Sequence, residues 1–398
     1  MLQNRWVMLA VIFLTRTSMG FMFQSVASVA PFLIDQFTLS YGQIGLLMGL
    51  YLLPGALIAL PSGVLGQRFG SRRVAVAGLA LMTTGGLITA WSASFLGACV
   101  GRTVSGAGGI LLNLLLAKMV ADWFTSKEIS TAMGVMLTSW PVGIGLALVT
   151  LGSVAARWSW RGSMLVTAAA AMAGLLLLAG LYRDPPWLAH APRGRGTLDL
   201  DLPRRAWALS VTAGVCWSAF NASIIVVASF GPALLIAHGA SVAEAGSVVS
   251  VAIWVTLVSV PLGGYAADRL RRPNLAITTG ALAAALCIAL LPLFPYPVLW
   301  LLLAGILVGL APGAIMALLP EALEQEHLAT GLGMLYTIMY LGMALAQPLA
   351  GLTRDLSASP AMPIFFAAVL MAATVIALGA YRWTERLPAA RAAPRGRV

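Results

Sequence analysis

Twelve long apolar runs, each close to the length that a membrane span requires, dominate this sequence. An α-helix needs about 20 apolar residues to cross the hydrocarbon core of a bilayer. The runs lie near 6–34, 42–65, 74–92, 95–120, 130–155, 162–182, 206–236, 243–265, 274–293, 297–319, 329–350 and 361–381. Charged residues form only 9% of the chain, against about 25% in a soluble domain. The sequence therefore predicts an all-α, polytopic membrane protein, and the first run is expected to remain as a span because it is too long for a cleavable signal.

The series of apolar runs is interrupted once, after the sixth, by a segment rich in proline, glycine and charge. It reads RDPPWLAHAPRGRGTLDLDLPRR, a composition that marks a linker. The expected organisation is a six-helix half over 1–182, a linker over 183–205, a second six-helix half over 206–382 and a basic tail over 383–398.

The two halves resemble each other when the second is displaced by about 200 positions. VASVAP at 26–31 returns as VASFGP at 227–232, and the same offset superposes Gly63 on Gly264. Internal repeats of this kind are typical of transporters that bind their substrate between the repeats. We therefore expect twelve transmembrane helices in two pseudo-symmetric six-helix halves.

Lysine and arginine are distributed unevenly along the chain. Nineteen of the 24 lie in segments expected on the side of the chain termini, whereas only Arg157, Arg161 and Arg354 lie on the other side. Positive residues accumulate on the cytoplasmic side of membrane proteins. Both termini are therefore expected in the cytoplasm, and a bacterial inner membrane is the expected location. The formal charge of +11 then reflects topology, so the expected macroscopic partner is the lipid bilayer and not nucleic acid.

Three motifs resemble those of a known family. GVLGQRFGSRRV at 63–74 resembles the G-x-L-A-D-R-x-G-R-R signature of the major facilitator superfamily, and GGYAADRLRR at 263–272 is similar to its second-half counterpart. RTVSGAGG at 102–109 is similar to the R-x-x-x-G-x-G motif of span four. The resemblance implies a secondary transporter of the major facilitator fold that works by alternating access, expected to be a monomer without a cofactor and not an enzyme.

The same resemblance implies a set of residues that act in the conformational change. They lie in the two loops after spans two and eight: Gly63, Gln67, Arg68, Gly70, Arg72, Gly264, Asp268 and Arg269. One of them departs from the family pattern, since Gln67 stands where the signature has an aspartate. We expect Asp268 to form an ionic or helix-N-terminal contact on the cytoplasmic side that stabilises the outward-facing state. Gln67 can form only the neutral version of this contact.

Arg16 is the single charge within the first run, near the expected midplane of the bilayer. A central arginine costs about 2.5–3.5 kcal/mol on insertion scales, and such residues face a cavity or a partner. All thirteen carboxylates lie in loops or at span ends, so none is available at the depth of Arg16. We expect the Arg16 guanidinium to face a watery cavity and to bind a substrate carboxylate or small oxyanion through its planar fork.

The internal repeat places two further candidates on the corresponding span of the second half. At the offset of 201 residues, Trp217 corresponds to Arg16 and Asn221 to Gly20. Trp217 and Asn221 are one helical turn apart and share a face. They are expected to contribute an indole and an amide to substrate binding, with packing as the alternative role of Trp217.

Arg102 is the second cation inside a predicted span, and it shares one helical stripe with Gly106, Gly109 and Asn113. The resemblance implies that an arginine here lines the cavity or supports coupling. A structural arginine bonded to backbone carbonyls is the alternative. Four aromatic residues within spans are candidates for hydroxyl donors and aromatic walls, with packing as the alternative: Tyr51, Trp254, Tyr336 and Tyr340.

Several functions remain open within and outside transport. The resemblance extends to anion-handling branches such as organic anion:cation symporters and nitrate/nitrite or cyanate permeases, but Thr15 stands where the first of these carries an acid beside the arginine. This departure favours exchange, or symport with a proton carried by the substrate, so a proton or counter-anion is the candidate second partner. A drug or metabolite exporter is the rival transporter. A membrane enzyme is disfavoured because the predicted spans hold no nucleophile, base or metal cluster, and the three cysteines lack metal-ligand spacing. A signalling receptor is disfavoured because the predicted tail after Arg382 is too short for a soluble output domain.

Overall fold

The computed structural model describes residues 4–124, 128–187, 202–270 and 272–386. The side chains of Gly63, Ser130, Asp268, Leu270 and Gln325 are outside this description, as are most of the predicted linker and the predicted tail. The described residues form fifteen α-helices. These are α1 (Arg5–Ser28), α2 (Ala30–Phe37), α3 (Tyr41–Gly49), α4 (Gly55–Phe69), α5 (Ser71–Trp91), α6 (Phe95–Trp123), α7 (Ile129–Arg157), α8 (Trp160–Leu181), α9 (Arg204–Ala237), α10 (Val242–Leu270), α11 (Pro273–Leu290), α12 (Pro297–Val308), α13 (Pro312–Ala322), α14 (Gln325–Ser357) and α15 (Met362–Arg386).

Eleven candidate spans are long and apolar enough to cross a membrane within the described ranges, one fewer than the twelve predicted. The difference comes from the second predicted span, which is divided into α3 and α4. Its backbone tightens to i→i−3 hydrogen bonds at Tyr51 (3.3 Å) and Leu52 (2.9 Å). Pro54, which has no N–H to donate, then precedes α4. Neither segment alone has the length of a span, although together they cover the predicted run.

The internal repeat is visible in the helix boundaries. The broken pair α3–α4 covers 41–69 and the continuous α10 covers 242–270, so both ends differ by the offset of 201 residues found in the sequence. The second span is therefore broken in the first repeat and whole in the second. This difference places a turn of irregular backbone next to one of the two intramembrane arginines.

The helices pack in two groups that follow the chain order. In the first group, α5 packs on α6 and α8, and α1 packs on α7 and α8. In the second, α9 packs on α14 and α15, and α10 packs on α12. The groups meet through α3 and α4 on α14, α7 on α10, and α1 on α9. The core of the molecule thus includes a long contact between the broken second span and α14.

Glycines allow this contact to be close at the end of the bundle away from the chain termini. A Cβ at Gly45 would overlap the main chain of Gln347, and one at Gly351 would overlap the main chain of Tyr41. Asp355 of α14 accepts hydrogen bonds from the backbone N–H groups of Tyr41 (2.9 Å) and Gly42 (2.7 Å). A carboxylate from one group therefore caps the first turn of α3 in the other group, where the helix dipole favours negative charge.

Candidate functional site

Arg102 of α6 is enclosed by the protein and only 1% exposed. Its Nε donates to the carbonyl oxygen of Leu47 at 3.1 Å. Its terminal nitrogens donate to the carbonyl oxygens of Met22 (2.9 Å) and Phe23 (3.0 Å), with the hydroxyl of Ser25 at 3.3 Å from Nη1. All three nitrogens are thus bonded within the protein. These bonds are the ones expected of the alternative raised from the sequence, a structural arginine on backbone carbonyls, and a role of Arg102 in substrate binding stays a prediction.

The break in the second span explains why a carbonyl is available to Arg102. In a regular helix the Leu47 carbonyl accepts from the N–H of residue 51. Here the Tyr51 N–H turns instead to the carbonyl of Met48, which frees the oxygen of Leu47. Because an unpaired buried carbonyl is costly, the Arg102 guanidinium replaces the missing helical donor. The arginine and the irregular turn stabilise each other.

Tyr51 lies under Arg102 and does not reach an open surface. It is 0% exposed, and its ring centroid is 4.7 Å from the Arg102 Cζ. Gly106 and Gly109 of the predicted stripe leave room for it, since a Cβ at Gly109 would lie 2.5 Å from the tyrosine hydroxyl oxygen. The hydroxyl donates to the carbonyl of Met19 at 3.3 Å. Tyr51 therefore packs against Arg102 with its hydroxyl bonded inside the protein, and its role in substrate binding stays a prediction.

Arg16 of α1 is also buried, with 7% of its surface exposed. Its Nε donates to Oδ1 of Asn113 at 2.9 Å. Its Nη1 donates to the carbonyl oxygens of Met136 (3.1 Å) and Leu137 (3.0 Å) and to the hydroxyl of Ser139 (3.3 Å). In this conformation the guanidinium is therefore buried among protein atoms, and two of its three nitrogens are already bonded.

A proline in α7 explains the carbonyls that Arg16 binds. Pro141 lies inside this helix and has no N–H, so the carbonyl four residues earlier, that of Leu137, lacks its helical donor. Arg16 supplies that donor from the neighbouring helix. Gly20 and Gly143 let α1 and α7 approach closely at this level, because a Cβ at Gly20 would lie 2.5 Å from the carbonyl oxygen of Trp140. The segment SWPVGIG at 139–145 of α7 thus holds Arg16 in place.

One nitrogen of Arg16 remains available. Its Nη2 makes no hydrogen bond to any residue in the described ranges, in contrast to Nε and Nη1. The ion pairs of the described residues are Arg5–Glu128, Lys118–Asp122, His327–Glu326 and Arg382–Glu385. Neither buried arginine therefore pairs with a carboxylate in the described part of the chain, as the positions of the acids predict.

Asn113 connects Arg16 to the second group of helices. Its Oδ1 accepts from Arg16, and its Nδ2 donates to the hydroxyl of Tyr340 on α14 at 2.9 Å. Tyr340 is 4% exposed. Tyr336, one turn away on α14, is half-buried and lies near enough to interact electrostatically with Arg16. Four of the predicted site residues, Arg16, Asn113, Tyr336 and Tyr340, are therefore brought together where the two groups meet.

Trp217 and Asn221 of α9 are not joined to this cluster by any hydrogen bond or cation–π contact of the described residues. The Trp217 ring stacks on Phe220 (centroids 5.7 Å apart, planes at 8°), and its buried Nε1 has no hydrogen-bond partner among the residues described. Asn221 donates from Nδ2 to the carbonyl of Trp217 at 2.8 Å. Trp254 of α10 packs against Gly145 of α7. The role of these three side chains in binding stays a prediction.

The predicted conformational loops lie at the end of the bundle near the chain termini. Gly70 alone separates α4 from α5 and has φ +90°, a conformation that favours glycine. Arg72 donates to the carbonyl of Ala179 at 2.6 Å, and Arg269 donates to the hydroxyl of Tyr265 at 3.1 Å. Of the other predicted members, Gln67 and Arg68 are exposed, and a Cβ at Gly264 would meet open space. The Asp268 side chain and the surroundings of Gly63 lie outside the description.

The residues that sequence reasoning missed are mostly acceptors in the main chain. The carbonyls of Met136 and Leu137 carry no side-chain signature, but a proline within a predicted span is a readable signal of a free carbonyl. Gln347 lies on the same predicted span as Tyr336 and Tyr340. It is 0% exposed, and neither atom of its amide has a hydrogen-bond partner in the described ranges.

A family profile and several known proteins match this chain. The profile of the Major Facilitator Superfamily matches residues 12–231 and again 207–397. The 3-(3-hydroxy-phenyl)propionate transporter of Escherichia coli is 27% identical over 85% of this chain and 84% of its own. The 2-nitroimidazole transporter of the same organism is 26% identical over 92% of this chain and 93% of its own.

A solved structure shows the same fold. The xylose transporter XylE from E. coli, in an inward open conformation, superposes with a TM-score of 0.79 at 15% identity, covering 98% of this chain and 97% of that one. At this level of identity the likeness is one of fold alone. It agrees with the all-helical architecture, and the second profile match agrees with the internal repeat.

Proposed function

This chain belongs to the major facilitator superfamily and is a secondary transporter of that type, and we propose that its substrate is a small organic or inorganic anion bound by Arg16. Arg16 carries the proposal because it is a buried cation, has no carboxylate partner among the described residues, and keeps Nη2 unbonded. A buried charge without an opposite charge is costly. An anionic substrate would compensate that charge at the contact between the two groups of helices.

The side chains around Arg16 suit a planar group with two oxygen atoms. The remaining nitrogen can donate to one oxygen, and the Tyr336 hydroxyl, from α14 across the contact, can donate to another. The compound in the name of the 3-(3-hydroxy-phenyl)propionate transporter is a carboxylate, which supports an anionic substrate here. We assign Trp217 and Asn221 as further contacts on α9, and Arg102 with Tyr51 to the support of the site.

The direct test measures binding and stability together on purified protein. 3-(3-hydroxyphenyl)propionate, benzoate, nitrate and 2-nitroimidazole are added in turn, and a bound compound raises the melting temperature because it stabilises the folded state. Arg16→Gln should remain folded and lose nearly all of the shift given by an anion. Arg157→Gln, which removes an exposed arginine outside the site, is the control and should keep the shift.

A drug or metabolite exporter is the second candidate. The relative named 2-nitroimidazole transporter supports it, since that name carries no carboxylate. The two candidates differ in their dependence on Arg16. Near-normal affinity in a well-folded Arg16→Gln protein would remove the anion proposal and favour the exporter.

We assign exchange as the mode of transport, with a proton or counter-anion as the second partner. By their sequence positions the acids lie in predicted loops or at predicted span ends, so the predicted spans offer no carboxylate to titrate during a proton-driven cycle. Liposomes preloaded with the anion should therefore accelerate uptake of the labelled anion without a pH gradient. Strict dependence on an imposed proton gradient, without acceleration by preloaded anion, would contradict exchange.

The proposed topology places both termini in the cytoplasm of a bacterial inner membrane, with 1–182 and 206–382 as the two moving halves. The excess of lysine and arginine at the terminal end supports it. A single cysteine introduced at exposed Trp158 or Tyr296 should react with an impermeant reagent added outside intact cells.

In the loops, Asp268→Asn should impair transport more than Gln67→Ala, and equal losses would remove the special role of Asp268.

A further inference from the structure

Asn113 occupies an unusual place between two helices that belong to different groups. It is half-buried on α6 and makes two hydrogen bonds of 2.9 Å, one with Arg16 on α1 and one with Tyr340 on α14. The first bond lies within one group of helices, whereas the second crosses to the other group. Asn113 is thus the middle member of a three-residue chain that fastens the substrate-binding arginine to the opposite half.

The edge of the guanidinium that Asn113 occupies is the edge that a carboxylate would use. A bidentate oxyanion takes two parallel N–H groups of an arginine. The Nη1 group is already crowded by Met136, Leu137 and Ser139. The remaining pair is Nε with Nη2, of which Nη2 is unbonded within the described residues and Nε is held by Asn113 Oδ1. An anion that binds both nitrogens must displace the amide oxygen.

Displacement of the amide oxygen also affects Tyr340. The Asn113 side chain is oriented by two bonds, so loss of the bond to Arg16 leaves its amide free to rotate away from the tyrosine hydroxyl. Tyr340 is the point where α14 lies against the start of α4, since a Cβ at Gly55 would overlap the Tyr340 ring. A change at this point therefore acts on the packing between the halves.

We propose that Asn113 is a coupling residue: it ties Arg16 to Tyr340 across the two halves, and an anion that takes the Nε–Nη2 edge of Arg16 releases the tie. The release by an anion rests on the proposed function, whereas the tie itself does not. Asn113 therefore acts on the rocking of the halves through Arg16 and Tyr340. It is a positioning residue and need not touch the substrate.

The test measures the distance between the halves in the full-length protein by pulsed electron paramagnetic resonance. Spin labels are placed on exposed residues. One pair, Phe69→Cys with Tyr265→Cys, reports on the end of the bundle near the chain termini, and a second pair, Trp158→Cys with Tyr296→Cys, reports on the opposite end. The three native cysteines are replaced by alanine. Without added anion, Asn113→Ala and Tyr340→Phe should each lower the population of the wild-type distances several-fold.

Tyr381→Phe is the matched control for the loss of a tyrosine hydroxyl. The Tyr381 hydroxyl donates to the carbonyl of Leu318 at 2.5 Å within the second group of helices, so its removal costs a buried hydrogen bond without touching the contact between the halves. It should lower the melting temperature and leave both distances unchanged. If Tyr340→Phe gives the same distances as Tyr381→Phe and wild type, there is no tie and the proposal is overturned.

Addition of 3-(3-hydroxyphenyl)propionate tests the release. Wild type should shift toward the distances already populated by Asn113→Ala, and that variant should respond several-fold less. An equal shift in both proteins would overturn the release, since the anion would then act without Asn113. If the compound binds to neither protein while the variants still differ from wild type without it, the tie stands and the substrate assigned under the proposed function fails.

Discussion

Arg16 and Arg102 are two arginines of similar burial that the protein uses in different ways. Each replaces a helical donor that is missing in a neighbouring span: Arg102 at the irregular turn of the second span, and Arg16 at the proline of α7. All three guanidinium nitrogens of Arg102 donate hydrogen bonds to the protein, whereas Nη2 of Arg16 has no partner among the described residues. The comparison indicates that a buried arginine is a candidate for ligand binding when one of its N–H groups has no partner in the protein. Burial alone does not distinguish the two arginines.

This difference follows from the number of acceptors around each guanidinium. Three carbonyls from two helices and the face of the Tyr51 ring surround Arg102. Around Arg16 the carbonyls are on one side, facing Nη1, and an amide faces Nε. The amide of Asn113 is a more mobile acceptor than a helical carbonyl, because it can rotate about its side-chain bonds.

Removal of Arg102 should have the largest effect on the folded protein. Arg102→Leu leaves the buried Leu47 carbonyl without a donor, at about 1–3 kcal/mol, and also removes the hydrogen bonds to the carbonyls of Met22 and Phe23. We expect low expression or a melting temperature reduced by many degrees, measured by fluorescence size-exclusion and thermal unfolding in detergent. A variant that is well folded but has lost anion binding would show that Arg102, like Arg16, serves the substrate.

Arg16→Lys should have the next largest effect, on binding and not on stability. A lysine keeps the charge but cannot reproduce the planar donors of arginine. We expect the affinity for an anion to fall by about tenfold to a hundredfold, about 1.4–2.8 kcal/mol, while the melting temperature changes little. Isothermal titration beside thermal unfolding separates the two, and a fall in stability with preserved affinity would make Arg16 structural like Arg102.

Pro141→Ala tests whether the free carbonyl of Leu137 positions Arg16. Alanine restores an N–H that competes with Arg16 for this oxygen and favours the helix by up to about 3 kcal/mol relative to proline. We expect unchanged or higher thermal stability together with a several-fold loss of anion affinity. Pro261→Ala in α10 is the control for a proline inside a span, and an equal loss of affinity in both variants would separate Arg16 from the proline.

Tyr51→Phe should have the smallest effect. The ring under Arg102 is kept, and only a long hydrogen bond of 3.3 Å to Met19 is lost, worth about 0.5–1.5 kcal/mol at most. Anion binding and transport should be close to wild type. A large loss of binding in a folded protein would restore Tyr51 to the substrate site, where the sequence had placed it as a candidate.

The sequence carries much of this architecture because span formation depends on local composition. Runs of about 20 apolar residues predict helices wherever they fall, and the repeat at an offset of 201 predicts the equivalence of α3–α4 and α10. The absence of acids near Arg16 is also a property of sequence position, and the ion pairs of the described residues agree with it.

The sequence was less informative where hydrogen bonding to the main chain decides the outcome. Arg16 and Arg102 look alike in the chain, each a lone cation within an apolar run. Their donors meet carbonyls of Leu137 and Leu47, which lie 121 and 55 positions away along the chain. No pattern of side chains predicts such a pairing.

The sequence by itself therefore determined that the chain crosses a membrane many times, repeats its first half in its second and carries two arginines inside its spans. Only the tertiary structure decided which of the two arginines has all its guanidinium nitrogens bonded to the protein. Hydrophobic burial follows residue composition and can be read locally, whereas hydrogen bonds act over about 3 Å and need two partners in register. The turn at Tyr51 and the proline at 141 each free a carbonyl, and the packing of α6 and α1 beside them fixes how many donors each arginine retains.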